Sequence, residues 1–182
     1  MSLGCIDHLL GEHRLILRAV YVVKSMAEQA ENQKLPEAED VEALLSFFRL
    51  FADQHHQTKE ESILFPSLRT ATAGRTNAPL HQMVFEHEQE RSLTQALEDA
   101  LRTRKHSEFA YFGNRLAAVL SNHIYKEDHI LFDLVERTLS APEDCEVVRQ
   151  MEEFDRTLQP KLIQEWAQTI NRLEWKYLNK VA

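Results

Sequence analysis

The chain has 182 residues, one domain's worth, and its four glycines and five prolines are too few for a many-turned β-sandwich or barrel. Twenty-one Lys and Arg against 29 Asp and Glu leave a net charge of −8, which disfavours nucleic acid and anionic membranes as partners. Two cysteines, Cys5 and Cys145, exclude a disulfide scaffold or a Cys-rich zinc module, whereas the nine histidines stand out.

Helical periods run through the whole chain. Ile6, Leu9, Leu10, His13, Ile16, Leu17 and Val20 form one stripe at helical spacing. A polar stretch over 28–37 reads as a loop, and Pro36 marks the start of a second helix. That helix carries Leu45, Phe48, Ala52, His56, Glu60 and Ile63, and Pro66 is expected to bend or end it. The segment 70–79, with Gly74, Asn77 and Pro79, is the clearest break. A third stripe holds Leu80, Met83, Val84, His87, Thr94, Leu97 and Leu101. A fourth holds Phe109, Phe112, Leu116, Leu120, His123, Glu127, Ile130 and Leu134. Ser140 followed by acidic residues is a helix start, and Leu162, Trp166, Ile170, Leu173 and Tyr177 make a last stripe.

The expected fold is all-α: an antiparallel up-and-down four-helix bundle over 1–140, with a C-terminal helical extension over 141–182. The extension packs on the bundle or serves self-association, for instance in a homodimer. No apolar run is long enough to span a membrane and no leader-like segment occurs, so a soluble, cytoplasmic protein is expected.

Two segments repeat one another at a constant offset. His56, Lys59, Glu60, Ile63, Leu64 and Phe65 recur as His123, Lys126, Glu127, Ile130, Leu131 and Phe132, and Glu61 is matched by Asp128. The His-x-x-x-Glu spacing alone is weak, because nine His and 21 Glu among 182 residues give about one by chance and three occur. The third, His8 with Glu12, lies outside the repeat and reads as a surface pair.

Residues i and i+4 share a helix face, so His56 projects with Glu60 and His123 with Glu127, all on apolar stripes. His13 and His87 lie on the stripes of the other two helices. Four His and two Glu thus aim at one core, where unpaired carboxylates cost several kcal/mol each. Two metal ions resolve the conflict: Glu60 and Glu127 bridge them, and His13, His56, His87 and His123 are terminal ligands. The mixed N and O donors suit iron best, with manganese or zinc as alternatives, and leave room for an oxo or hydroxo bridge and an exogenous molecule. Glu61 and Asp128 replace Glu60 and Glu127 if a helix is rotated. Glu90, one turn after His87, is either a further ligand or a solvated acid. His55 reads as a supporting or surface residue, and His81, His106 and His129 as solvated. Tyr111 and Tyr125 are candidates to donate near the centre, as any core tyrosine would be, and Trp166 and Trp175 read as packing residues.

Four motifs in order resemble the hemerythrin-like, HHE cation-binding domains: Glu-His13-Arg-Leu-Ile, His55-His56-x-x-Lys-Glu60-Glu61-x-x-Leu-Phe-Pro66, Glu86-His87-Glu-x-x-Arg91, and His123-Ile-x-Lys-Glu127-Asp128. The resemblance spans about 5–135. It implies a four-helix bundle around a non-haem di-iron centre, in a family that binds or senses oxygen, handles nitric oxide or peroxide, stores or senses iron, or repairs iron–sulfur clusters. Oxygen carriers of the family have a second His where this chain has Met83, and an Asp at the position of Asp128. With one His fewer, the resemblance leaves reversible oxygen carriage in the manner of those carriers open. The expected function is binding or sensing of dioxygen, nitric oxide or peroxide at a carboxylate-bridged centre. The alternative is an iron-binding or regulatory helical module without turnover. If the chain is an enzyme, the expectation is a di-iron oxidoreductase.

Overall fold

A computed structural model describes residues 3–75, 77–157 and 160–179, without the side chains of 77 and 160–162. Leu162 of the last stripe lies outside the described side chains. Six helices account for most of the described residues, and no strand occurs among them. They are α1 (Gly4–Glu31), α2 (38–71), α3 (Asn77–Arg102), α4 (106–138), α5 (Ala141–Thr157) and α6 (Pro160–Tyr177). No described helix is long and apolar enough to cross a membrane.

The apolar stripes dictate the packing. α1 lies along α4, α4 along α3, α3 against α2, and α2 against α1, so the four close a ring of neighbours. Where α1 meets α4, a Cβ on Gly113 would stand 3.0 Å from that of Ala27, so this crossing uses the missing side chain. Two apolar clusters fill the interior. One gathers Ile16, Phe51, Leu97 and Leu120, and the other Leu9, Ile63, Met83 and Leu131. Each helix passes from one cluster to the other through its His, which leaves a polar layer between them.

α2 and α4 depart from regular α geometry at this layer. Wide π-helical turns occupy Phe48–Gln57 and Glu60–Leu64 in α2, and Glu127–Leu131 in α4. Such turns carry more residues per turn and shift the faces that follow. Downstream of them Leu131, Phe132 and Val135 are buried, whereas Ile130, expected on the core stripe, is 61% exposed. Its repeat mate Ile63 is 8% exposed, because α5 packs over the Glu60–Leu64 turn and nothing comparable covers Ile130 among the described residues.

Several boundaries differ from expectation. α1 continues to Glu31, so the first loop is shorter. α2 starts at Ala38 rather than Pro36, since Glu37 stays extended and gives its N–H to the Tyr177 hydroxyl at 3.3 Å. Pro66 does not end α2, which runs to Ala71. It sits in the first turn after the wide segment, where a missing N–H is tolerated.

α5 and α6 pack on α1 and α2. Ser140 and Glu143 form a capping pair at the start of α5, the Glu143 carboxylate accepting from both the Ser140 N–H (2.8 Å) and hydroxyl (2.6 Å). Asp144 accepts from the N–H groups of Gly4 and Cys5 at 2.9 and 3.0 Å, so α5 holds the first turn of α1. Cys5 is buried beside it and Cys145 is exposed. On α6, Trp166 stacks edge-on against Phe47 (5.9 Å), but Trp175 is exposed and is not a packing residue.

Asp40 on α2 is buried under Arg172, Lys176 and the Tyr177 hydroxyl, which donates at 2.8 Å. Burial pushes its carboxyl up, but bonds from Lys176, Arg172 and Tyr177 outweigh that and hold it below the ordinary range. A depressed carboxyl stabilises the fold above its unfolded pKa of about 3.9, and the contribution is lost as pH falls through the folded value. An Asp40→Asn chain is therefore expected to lose about 1.5–3 kcal/mol at pH 7. In urea melts the gap from the parent chain closes as the pH is lowered far enough to protonate Asp40.

Candidate metal centre

The six expected residues converge in the polar layer, one His from each of α1 to α4 and one Glu each from α2 and α4. His13, His56, Glu60 and Glu127 offer ligand atoms within 4.8 Å of one another, as do Glu60, His87, His123 and Glu127. Both glutamates belong to both groups. Glu60 turns Oε1 to His56 Nε2 (3.6 Å) and Oε2 to His87 Nε2 (3.4 Å). Glu127 turns Oε1 to His123 Nε2 (3.2 Å) and Oε2 to His13 Nε2 (3.3 Å).

The repeat appears here as two-fold symmetry. His13 and His56 meet at 4.7 Å between ring centres and 67°, and His87 and His123 at 4.7 Å and 68°. Phe132 lies flat on His13, and its repeat mate Phe65 lies flat on His87. A wide turn opens at Glu60 in α2, after the earlier one over Phe48–Gln57, and another opens at Glu127 in α4, so each carboxylate stands at the first residue of a wide turn.

An outer ring of carboxylates orients the imidazoles. Each His gives its Nδ1–H to a neighbouring helix: His56 to Glu12 (2.8 Å), His87 to Glu61 (2.7 Å), His123 to Glu86 (3.1 Å) and His13 to Asp128 (2.6 Å). The four bonds run α1–α2, α2–α3, α3–α4 and α4–α1, a closed circle. They fix the tautomer whose Nε2 lone pair points inward, the arrangement metal-binding histidines use. Glu61 and Asp128 thus serve as partners of His87 and His13, beside Glu60 and Glu127 rather than in their place.

Electrostatics agree with this division. The His87 Nδ1–H holds Glu61 down to about 2, with Arg91 adding to it against burial. Burial raises Glu86, but His123 and Lys126 outweigh it and bring the carboxyl to about 2. Without bound cations His13, His87 and His123 are drawn toward the charged form. Burial opposes this, yet Asp128 and Glu127 lift His13 to about 10, and Glu60 and Glu61 lift His87 to about 9. The cluster demands positive charge.

All four oxygens of Glu60 and Glu127 lack a hydrogen-bond partner, and both residues are 0% exposed. A buried carboxylate without donors is costly, and a pair of cations removes that cost. The donors fit a pair of ions: two imidazole nitrogens and one oxygen from each glutamate for each ion.

The sequence reading missed several polar residues around this centre. Glu12 is no surface acid, since it holds His56. His8 lies 3.9 Å from Glu12 and closer to Asp155 of α5, at 2.9 Å. His55 is buried and contacts Glu12 Oε1 at 3.0 Å. Lys59, fully buried, donates to Glu12 and to Asp155 (3.0 Å) and lies 3.1 and 3.2 Å from His8 and His55. The His8, Glu12 and Asp155 group would otherwise suit a cation, and the Lys59 ammonium already fills that role. Glu90 is buried rather than solvated. His81 and His129 are exposed as expected, His106 partly so, and Tyr111 and Tyr125 are exposed, away from the layer. The Glu-His pairs at 12–13 and 86–87 were the available signal for the outer ring.

Breaking one outer bond is expected to weaken the centre without dismantling it. A Glu61→Gln chain should bind metal about 10–100-fold more weakly, measured by competition with a chelator, at near-parental helical content.

Searches of curated proteins and of solved structures returned no match. The family model for the hemerythrin HHE cation binding domain matches residues 5–135, from the first turn of α1 into the last segment of α4, and leaves α5 and α6 outside. With the match covering most of the chain and a buried His and Glu cluster able to hold a metal at its centre, the chain belongs to the hemerythrin HHE cation-binding family.

Proposed function

We propose that the protein holds two non-haem iron ions in an up-and-down four-helix bundle and binds or senses a small molecule there. The observation that carries this is the pair of fully buried carboxylates, each flanked by Nε2 atoms from both halves of the repeat and neither hydrogen-bonded. His13 and His56 would hold one ion, His87 and His123 the other, and Glu60 and Glu127 would be shared. Four protein donors per ion leave positions for dioxygen, nitric oxide or peroxide, and iron suits the mixture of imidazole and carboxylate, with manganese or zinc as alternatives.

Bound iron would supply a redox-active, Lewis-acidic pair of centres. The chain's own part is to hold the imidazoles by their Nδ1–H groups and to keep water out with an apolar cluster on each side. The test is the absorption spectrum of iron-loaded protein before and after azide, peroxide and nitric oxide. Shifts in the near-ultraviolet bands support an open centre. An iron-loaded protein whose spectrum ignores all three favours the regulatory module, in which metal only ties the helices together.

A further inference from the structure

The two-fold relation between the halves of the bundle breaks at one place. α5 covers the groove between α1 and α2, and nothing comparable covers the matching groove between α3 and α4 among the described residues. On the covered side, Val147 and Met151 of α5 are buried in the apolar cluster that holds Leu9 and Ile63. One turn further along α5, Asp155 accepts from Lys59 at 3.0 Å and stands 2.9 Å from His8 Nε2.

Each of these groove positions has a counterpart in the other half. The 67-residue offset carries Lys59 to Lys126 and Ile63 to Ile130. His13 and His87 lie 74 residues apart, as do Glu12 and Glu86, which hold His56 and His123. That offset carries His8 to Gln82 and Leu9 to Met83. Gln82, Met83, Lys126 and Ile130 all line one open cleft of about 490 Å³, with Pro79 and Leu134 adding to its apolar wall. Ile130, 61% exposed, is left in water where Ile63 is covered.

Charge states what the cleft is missing. Lys126 pairs with Glu86 as Lys59 pairs with Glu12. Lys59 holds Asp155 as well, whereas the Lys126 side chain stays 32% exposed, with room for a second carboxylate. Arg137 lines the same cleft with its side chain 78% exposed, and Asp133 lies 3.4 Å from it.

We propose that the α3–α4 cleft docks an amphipathic helix of a partner protein that repeats the pattern of α5: apolar residues four apart and a carboxylate one turn further on. The apolar residues cover Met83 and Ile130, and the carboxylate accepts from Lys126 and from the Gln82 amide. Val147, Met151 and Asp155 carry this pattern in the chain itself, but they are engaged in their own half. A second copy therefore has no α5 to lend without unpacking it. No proposed metal ligand lines the cleft, and the docking does not rest on the metal reading.

The test titrates the isotope-labelled full chain with a synthetic peptide of the α5 sequence, residues 141–157, followed by NMR. Saturable shifts are expected at Gln82, Met83 and Ile130. Ile130→Asp, at a solvent-facing position, should raise half-saturation at least about tenfold with unchanged circular dichroism. Asp155→Lys in the peptide should weaken binding about tenfold, and a Lys126→Glu chain should recover it by restoring opposite charges. No saturable shift, shifts indifferent to Ile130→Asp, or no recovery on charge exchange overturns the proposal. So do shifts confined to Leu9 and Ile63, where the peptide merely displaces the resident α5. Concentration-dependent dimerisation of the chain, abolished by Ile130→Asp, would assign the cleft to a second copy and equally overturn it.

Discussion

A Glu127→Leu chain is expected to lose both metal ions, whereas a His56→Ala chain loses one. Glu127 faces Nε2 atoms of both halves, from His13 and from His123, so its removal would take an oxygen from each of the two proposed ions. His56 serves one half, and His87, His123, Glu60 and Glu127 remain as a full set for the other. Losing a ligand costs more than losing an outer partner, so affinity at both positions should fall by more than about 100-fold in Glu127→Leu. The leucine fits a layer bordered by apolar clusters, and the helices should survive. Metal per chain, measured beside circular dichroism, checks the contrast. Equal stoichiometry in the two variants would show that the carboxylate is not shared. In the parent chain, apparent affinity should rise with pH up to about 9–10, because raised imidazoles such as His13 and His87 must release protons before they bind.

The second large effect concerns Lys59. Its ammonium is fully buried and faces Glu12 and Asp155, so Lys59→Met leaves both carboxylates without their cation in a largely closed space. Removing one partner of a buried pair costs about 3–5 kcal/mol. His8 and His55 still contact these acids, which places the expected loss near the lower figure. For a chain of this size, about 3 kcal/mol is a fall of about 6–12 °C in melting temperature. The repeat supplies a control. Lys126 occupies the equivalent position and pairs with Glu86, but its side chain is 32% exposed because no element corresponding to α5 covers it among the described residues. Lys126→Met should cost under about 1 kcal/mol. Equal losses in the two variants would mean that α5 does not set the difference.

What the sequence made legible was periodic. Stripes at helical spacing located the helices that carry the candidate ligands, and the 67-residue offset between His56 and His123 singled out two His-x-x-x-Glu pairs from three. His13, His56, Glu60, His87, His123 and Glu127 accordingly meet in one layer. The stripes failed where the backbone stops being a regular α-helix. A period of 3.6 puts Ile130 on the core face of α4, but the wide turn at Glu127–Leu131 rotates it into solvent. Nothing in residue type marks such a turn in advance.

The outer carboxylates were hidden for a different reason. Glu12, Glu61, Glu86 and Asp128 adjoin candidate ligands in sequence, and a helix turns adjacent residues about 100° apart, so each seemed to face away. They do face away from their own helix's contact, and toward the His of the next helix. The role of α5 was invisible because Asp155 meets Lys59 only once the chain has folded back across 96 residues.

The measurement that bears most directly on the account is iron per chain in protein purified from an iron-fed host, determined by elemental analysis against protein concentration. The paired His and shared Glu predict two ions per chain. One ion or none, in a chain whose helices are intact, would contradict the dinuclear centre.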